Sequence, residues 1–214
     1  RLCQRTKKTK KPISTTQTPT NRQKSSKEQY YVFKIQLQYI RPPIWRRIQI
    51  PGSYDLQDLH LAIQNCMGWG NYHAYEFLID NRYYGPRELE DDSIIPDTSV
   101  TLKKLELQPR KRFLYTYDFG DNWGHTIILE KIQNEEEIPQ DQRGKPFCLG
   151  GKRACPPEDC GGFPGYEYLI EALNAPNKKK YREVLNWVGK YDPDQFDLEE
   201  VNKALRKTFG LEKE

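Results

Sequence analysis

Between Tyr30 and Ile40 the sequence YYVFKIQLQYI sets Tyr31, Phe33, Ile35, Leu37 and Tyr39 against Lys34, Gln36 and Gln38, the two-residue period of a half-buried strand. An RPP segment turns the chain, and IWRRIQI repeats the pattern with Ile44, Arg46, Ile48 and Ile50 on one side. Together these predict an antiparallel hairpin, with Arg46 reaching the sheet edge or pairing with a carboxylate. Leu56, Leu59, Ile63 and Met67 then recur at helical spacing, so a helix is expected from about Asp55 to Met67, capped by Ser53 or Asp55 and stopped by Gly68. YEFLI and RYYG form a second strand pair around Asp80 and Asn81, and RFLYTY and HTIILEKI a third around a turn from Asp118 to Gly124. Pro86, Pro96 and Pro109 break the segment between these pairs and leave room for one short helix around Thr98 to Leu105. Residues 133–165 read as a long loop, acidic at first and then rich in Gly, Pro and Cys.

Three helices are expected to close the chain. The first carries Tyr166, Leu169, Ile170 and Leu173 and stops at Pro176; the second runs from about Lys178 to Val188, with a KKKYR start that reads as a solvated face. The third starts at Asp197 as N-cap, with Glu200 completing a capping box, and buries a Leu198, Val201, Leu205 and Phe209 stripe. Strands first and helices later indicate an α+β fold, an antiparallel or mixed sheet built from hairpins and packed against the early helix and a C-terminal group of about three helices.

Charge divides the chain. Residues 1–27 hold nine Lys or Arg and no acid, so the remaining 25 basic and 30 acidic residues leave the body near −5 while the first segment carries +9. Such a segment cannot bury enough apolar surface to order its backbone, so the expected organisation is a basic disordered tail over 1–27 and a single α+β domain over 28–214. Lys7, Lys8, Lys10 and Lys11 are its densest cations and the expected contacts to nucleic acid through counterion release. A chain opening on Arg1 in place of methionine fits a processed or excised fragment. No run of about 18 apolar residues is present and no signal-like apolar core stands near the start, which points to an intracellular protein with no membrane partner. Five cysteines, an odd number, argue against a disulfide framework.

Candidate chemistry falls in two groups. Cys148, Cys155 and Cys160, spaced C-x6-C-x4-C, are the zinc candidates, with His125, His73, Cys66 or Asp159 as a fourth ligand; free, partly buried thiols in a loop shaped by prolines and glycines are the alternative. His73, Glu76, Asp118, Asp121 and His125 could supply general acid and base groups or an oxygen and nitrogen metal site, although on one strand His73 and Glu76 face opposite ways. Asp118 and Asp121 also suit plain turn chemistry, Trp123 and Tyr117 suit a core, and His60 suits a surface or boundary position on the early helix.

RPPIWRR, MGW, YHAYEF, YYG, YDFGDNWGHTIILE and GGKRACPPEDCGGFPGYEYLIEAL occur in that order. Together they resemble the plasmid pRiA4b open-reading-frame-three family over roughly Tyr30 to Phe209; its relatives include insertion-element passenger proteins labelled TnpR-like. The resemblance implies a compact α+β domain, association with mobile elements or other small domains, and no established activity. A serine recombinase is not supported, because outside residues 1–27 only Ser53, Ser93 and Ser99 remain and none lies in a nucleophile motif. The expected function is a non-enzymatic interaction or accessory domain, with a protein partner or nucleic acid as its ligand. A metal-dependent hydrolase or nuclease using the His and Asp cluster, and a zinc-stabilised structural module, are the alternatives.

Overall fold

The computed structural model describes residues 27–87 and 93–210. The basic residues 1–26, with Lys7, Lys8, Lys10 and Lys11, lie outside the described residues. The strands are β1 (Gln29–Leu37), β2 (Trp45–Pro51), β3 (Tyr75–Ile79), β4 (Arg82–Gly85), β5 (Ile94–Pro96), β6 (Arg112–Tyr117), β7 (Trp123–Asn134) and β8 (Phe147–Lys152). They form one sheet in the order β5-β4-β3-β6-β7-β1-β2-β8, antiparallel throughout except for the parallel β4 and β5 pair. Among the described residues four α-helices accompany it: α1 (Leu56–Met67), α2 (Gly162–Asn174), α3 (Arg182–Val188) and α4 (Leu198–Thr208). This is the α+β class, with a mixed sheet.

Side-chain alternation decides which face is covered. Phe77, Tyr115, His125 and Leu37 stand opposite one another across four adjacent strands, and all four are buried. Their neighbours Tyr75, Phe113, Tyr117, Trp123, Ile127 and Ile35 fill the same face, which meets α1 through Leu56, Leu59, Ile63 and Met67. Burying each aliphatic or aromatic side chain there contributes about 1.5–3 kcal/mol, so this layer drives the fold. The opposite face is half polar: Arg47 donates to both oxygens of Glu130 at 2.6 and 2.9 Å, and the Lys34 ammonium sits 5.5 Å from the Trp45 ring centre. An antiparallel sheet with one solvated face gives the clean alternation that the sequence shows.

Tertiary context changes several elements. Tyr39 continues the alternation on paper but adopts φ 64 and is 83% exposed, because the chain has already left β1 to turn. Arg46 faces inward and finds carbonyls in place of a carboxylate: Nε donates to Cys66 O at the end of α1, and one terminal nitrogen to Trp45 O and Lys152 O. The region expected to be a loop over 133–165 contains strand β8, paired to β2 with a register shift between Arg47 and Ile48. Its alternation is hidden by two glycines, Gly150 and Gly151. In place of one short helix around 98–105 there are two 3-10 turns, Asp97–Ser99 and Leu102–Leu105.

Capping follows the expected residues with one exchange. The reciprocal capping box belongs to α1, where Asp55 accepts from Asp58 N and Asp58 reaches back to Asp55 N. In α4, Asp197 accepts from Glu199 N and Glu200 N. That helix covers the β8 edge, where Asn202 donates to Cys148 O and accepts from Cys148 N, satisfying backbone groups that an edge strand otherwise leaves open.

Candidate metal centre

Three separate segments meet where α1 ends. Gly68 stops the helix at φ 88, after which Trp69 stacks on Tyr117 with ring centres 4.9 Å apart, and the chain then presents His73 just before β3. Asp118 follows β6 at φ 56, and its main chain is pinned on both sides: its N donates to Ala74 O, and its O accepts from Asn122 N. Its Oδ1 accepts from Gly120 N at 2.9 Å and Asp121 N at 3.2 Å, the turn chemistry expected of it. That leaves Oδ2 directed at His73, 3.6 Å from Nε2. The third segment, the Pro-Pro-Glu-Asp stretch before α2, places Asp159 Oδ1 3.1 Å and Glu158 Oε2 3.9 Å from the same nitrogen.

His73 Nε2 is shielded from solvent and has no hydrogen-bond partner, although Asp159 Oδ1 lies 3.1 Å away. Proximity without a directed bond is what a shared third atom between the two ligands would relieve. Ligand atoms of His73, Asp118 and Asp159 all lie within 4.8 Å of one another, and among the described residues no other trio of His, Cys, Asp or Glu does so. One imidazole nitrogen and two carboxylate oxygens form a mixed set suited to Mn2+, Zn2+ or Fe2+ and, with added water, Mg2+. Glu158 borders the trio with its orientation fixed, since Oε1 accepts from Gly70 N at 2.8 Å and Tyr117 Oη at 3.1 Å.

The remaining predicted residues lie elsewhere. Glu76 points to the solvated face of β3, level with Thr116, as the strand period requires. Asp121 ties the hairpin turn to the start of α2: its Oδ2 accepts from Gly161 N at 3.2 Å, and a Cβ on Gly162 would come within 2.5 Å of its main-chain oxygen. His125 is completely buried against Trp69 and Tyr115, at ring distances of 5.4 and 5.2 Å, and neither ring nitrogen has a hydrogen-bond partner. Burial pulls its pKa down to about 4, so it is a neutral core residue.

The three zinc-candidate cysteines do not gather. Cys148 on β8 is buried at the Cys66 thiol, Cys155 is buried in the loop beyond, and Cys160 is half-buried beside α2. Burial pushes the Cys155 thiol up and the Cys160 thiol up to about 12, which disfavours the thiolate that zinc requires. Asp159, considered only as a fourth zinc ligand, sits in the His73 trio instead. Glu158 carries no spacing signal of its own in the sequence, although it lies in the Pro-Pro-Glu-Asp phrase of the family resemblance. His60 is buried, not at a boundary: it stacks on Tyr75 at 3.4 Å, and its nitrogens meet Tyr115 Oη at 2.8 Å and Asn71 Oδ1 at 2.7 Å.

A cleft of about 420 Å3 opens beside the trio, bounded by Trp69, Pro156, Pro157, Glu158, Trp187 and Tyr191, so Glu158 belongs to both. Among the described residues no helix is long and apolar enough to cross a membrane.

The same framework occurs in other proteins. A family model described as "Plasmid pRiA4b ORF-3-like protein" matches residues 29–200. The uncharacterized protein y4hQ of Sinorhizobium fredii (strain NBRC 101917 / NGR234) is 35% identical over 176 residues, covering 80% of this chain and 88% of that protein. The crystal structure of a protein of unknown function, MM3350 from Methanosarcina mazei Go1, superposes with a TM-score of 0.72 at 38% identity, over 82% of this chain and 98% of that one. The order of motifs, the match over most of the chain and the shared fold agree: this chain belongs to the plasmid pRiA4b ORF-3-like family.

Proposed function

We propose that the domain binds one divalent cation through His73 Nε2, Asp118 Oδ2 and Asp159 Oδ1 and acts as a metal-dependent hydrolase at the adjoining cleft. The observation that carries this reading is the convergence of one ligand atom from each of these residues within 4.8 Å of one another. Those three residues would hold the cation, which would supply Lewis-acid activation of water and of a polarised substrate oxygen at the adjoining cleft. Glu158, held through Oε1, keeps Oε2 turned toward His73, where it can accept a proton. Titration calorimetry with Mn2+ tests the site. Wild type is expected to take up one ion per chain, and Asp118→Asn and Asp159→Asn to bind at least about tenfold more weakly. Asn at 118 keeps the turn acceptor for Gly120 N and removes only the charge, and Asp159 is largely exposed, so neither variant need unfold. No uptake by wild type at millimolar Mn2+ removes the reading.

A second reading rests on charge. Nine cations without an acid in residues 1–27, ahead of a body near −5, favour an accessory role in which that segment attracts nucleic acid, in keeping with the mobile-element association of the family resemblance. DNA binding should then weaken steeply between 50 and 200 mM salt and vanish when residues 1–27 are removed. Unchanged binding by the shortened chain counts against it.

A further inference from the structure

The cleft beside the cation trio has a definite chemistry. Half of its lining is aromatic or proline, namely Trp69, Pro156, Pro157, Trp187 and Tyr191, and apart from Glu158 the remainder is glycine or apolar. Pro156 and Pro157 have no N–H, Trp69 Nε1 is spent on Pro156 O at 2.9 Å, and Tyr191 Oη is spent on Cys155 O at 3.0 Å. The charged group in the lining is the Glu158 carboxylate. Such a cleft repels an anion and favours a planar, neutral, N–H-bearing ring. Trp187 is 52% exposed on α3, and about 420 Å3 falls within the size range of small-ligand sites. At the other side of Glu158, 3.9 Å from its Oε2, stands His73 of the proposed cation site, where an anionic oxygen is wanted.

We infer that the site takes a nucleotide: the base stacks in the cleft on Trp187 with its exocyclic amine toward Glu158, and the phosphate completes the cation's coordination. This rests on the cation reading above and extends it to a substrate class. A base on an aromatic face and a phosphate on a divalent ion are the two halves of one ligand, and the two subsites share a single glutamate.

Calorimetry on the full chain tests the assignment with adenosine 5′-monophosphate, ribose 5-phosphate, phosphocholine and adenosine, each with and without Mn2+. The monophosphate is expected to bind at least about tenfold more tightly than ribose 5-phosphate or phosphocholine when Mn2+ is present. Trp187→Ala should weaken it roughly 5- to 100-fold, Trp187→Phe far less, and neither should alter uptake of Mn2+ alone. Equal affinity for ribose 5-phosphate, tighter binding of phosphocholine, or indifference to Trp187→Ala overturns the inference. Failure of Mn2+ to bind alone removes the cation reading by itself, and adenosine binding lost in Trp187→Ala would then still establish the base subsite; adenosine binding unchanged by that substitution would remove it.

Discussion

His125 offers the sharpest test of the reasoning, because the sequence marks it for chemistry and the structure makes it a buried neutral ring. Its folded pKa is about 4 against 6.5 in the unfolded chain. Above pH 6.5 both states are neutral and stability is full. As pH falls, the unfolded chain takes up a proton that the folded one refuses, so stability is lost between about 6.5 and 4 and the loss is complete below that. At pH 5 the difference amounts to about 2 kcal/mol. His60, lowered to about 4 by its own burial, contributes a similar loss. Asp58, Asp97 and Glu76 work against this trend, since burial raises their pKa values and stability gained through them grows as pH falls. The comparison must therefore be with His125→Phe, in which those groups cancel. Neither imidazole nitrogen has a partner to lose, so the variant is expected within about 1 kcal/mol of wild type at pH 7.5. Urea denaturation followed by tryptophan fluorescence should show wild type losing about 2 kcal/mol more than the variant between pH 7.5 and pH 5. Parallel pH profiles would refute the claim that His125 is neutral and unpartnered in the folded state.

Other outcomes follow from the same contacts. Gly162→Ala combines φ +65 with a Cβ 2.5 Å from Asp121 O and should lower Tm by roughly 6 °C or more, whereas Gly144→Ala, at φ +71 in open space, should cost only about 3 °C in the same thermal scan. Asn202→Leu strands the N and O of Cys148 at the β8 edge, so denaturant titration should show a loss of about 2–4 kcal/mol. If the cation sits at the His73 trio and not on thiols, Cys160→Ala should leave the metal content of purified protein unchanged by elemental analysis, while Asp118→Asn should lower it.

Local signals made much of the fold legible. Two-residue alternation located β3 and β4 at their observed bounds, the Asp80 and Asn81 pair turned between them at φ 49 and 59, and the stripe on α1 faced the core as its spacing required. Family membership followed from phrases that can be read in order along the chain. Local pattern failed at β8, where glycines erase the alternation and only pairing with β2 and cover from α4 make a strand. It failed again at His60 and His125, whose burial depends on aromatic rings contributed by β3, β6 and the segment after α1.

The candidate site shows the same division. Composition and motif placed His73, Asp118 and the Pro-Pro-Glu-Asp stretch among the residues of interest, because polar groups with metal-ligand chemistry stand out in any sequence. Whether they meet is a property of the sheet: His73 enters β3, Asp118 leaves β6, and pairing of β3 with β6 sets them side by side, while the Gly161 and Gly162 contact with Asp121 holds the loop carrying Glu158 and Asp159 against both. Residue types and periodicity determined the class of fold, and the ordered motif phrases the family; only long-range contacts, the pairing of β3 with β6 and the hold of Asp121 on Gly161, could decide that His73, Asp118 and Asp159 come together and that His125 and the cysteines stay apart from them.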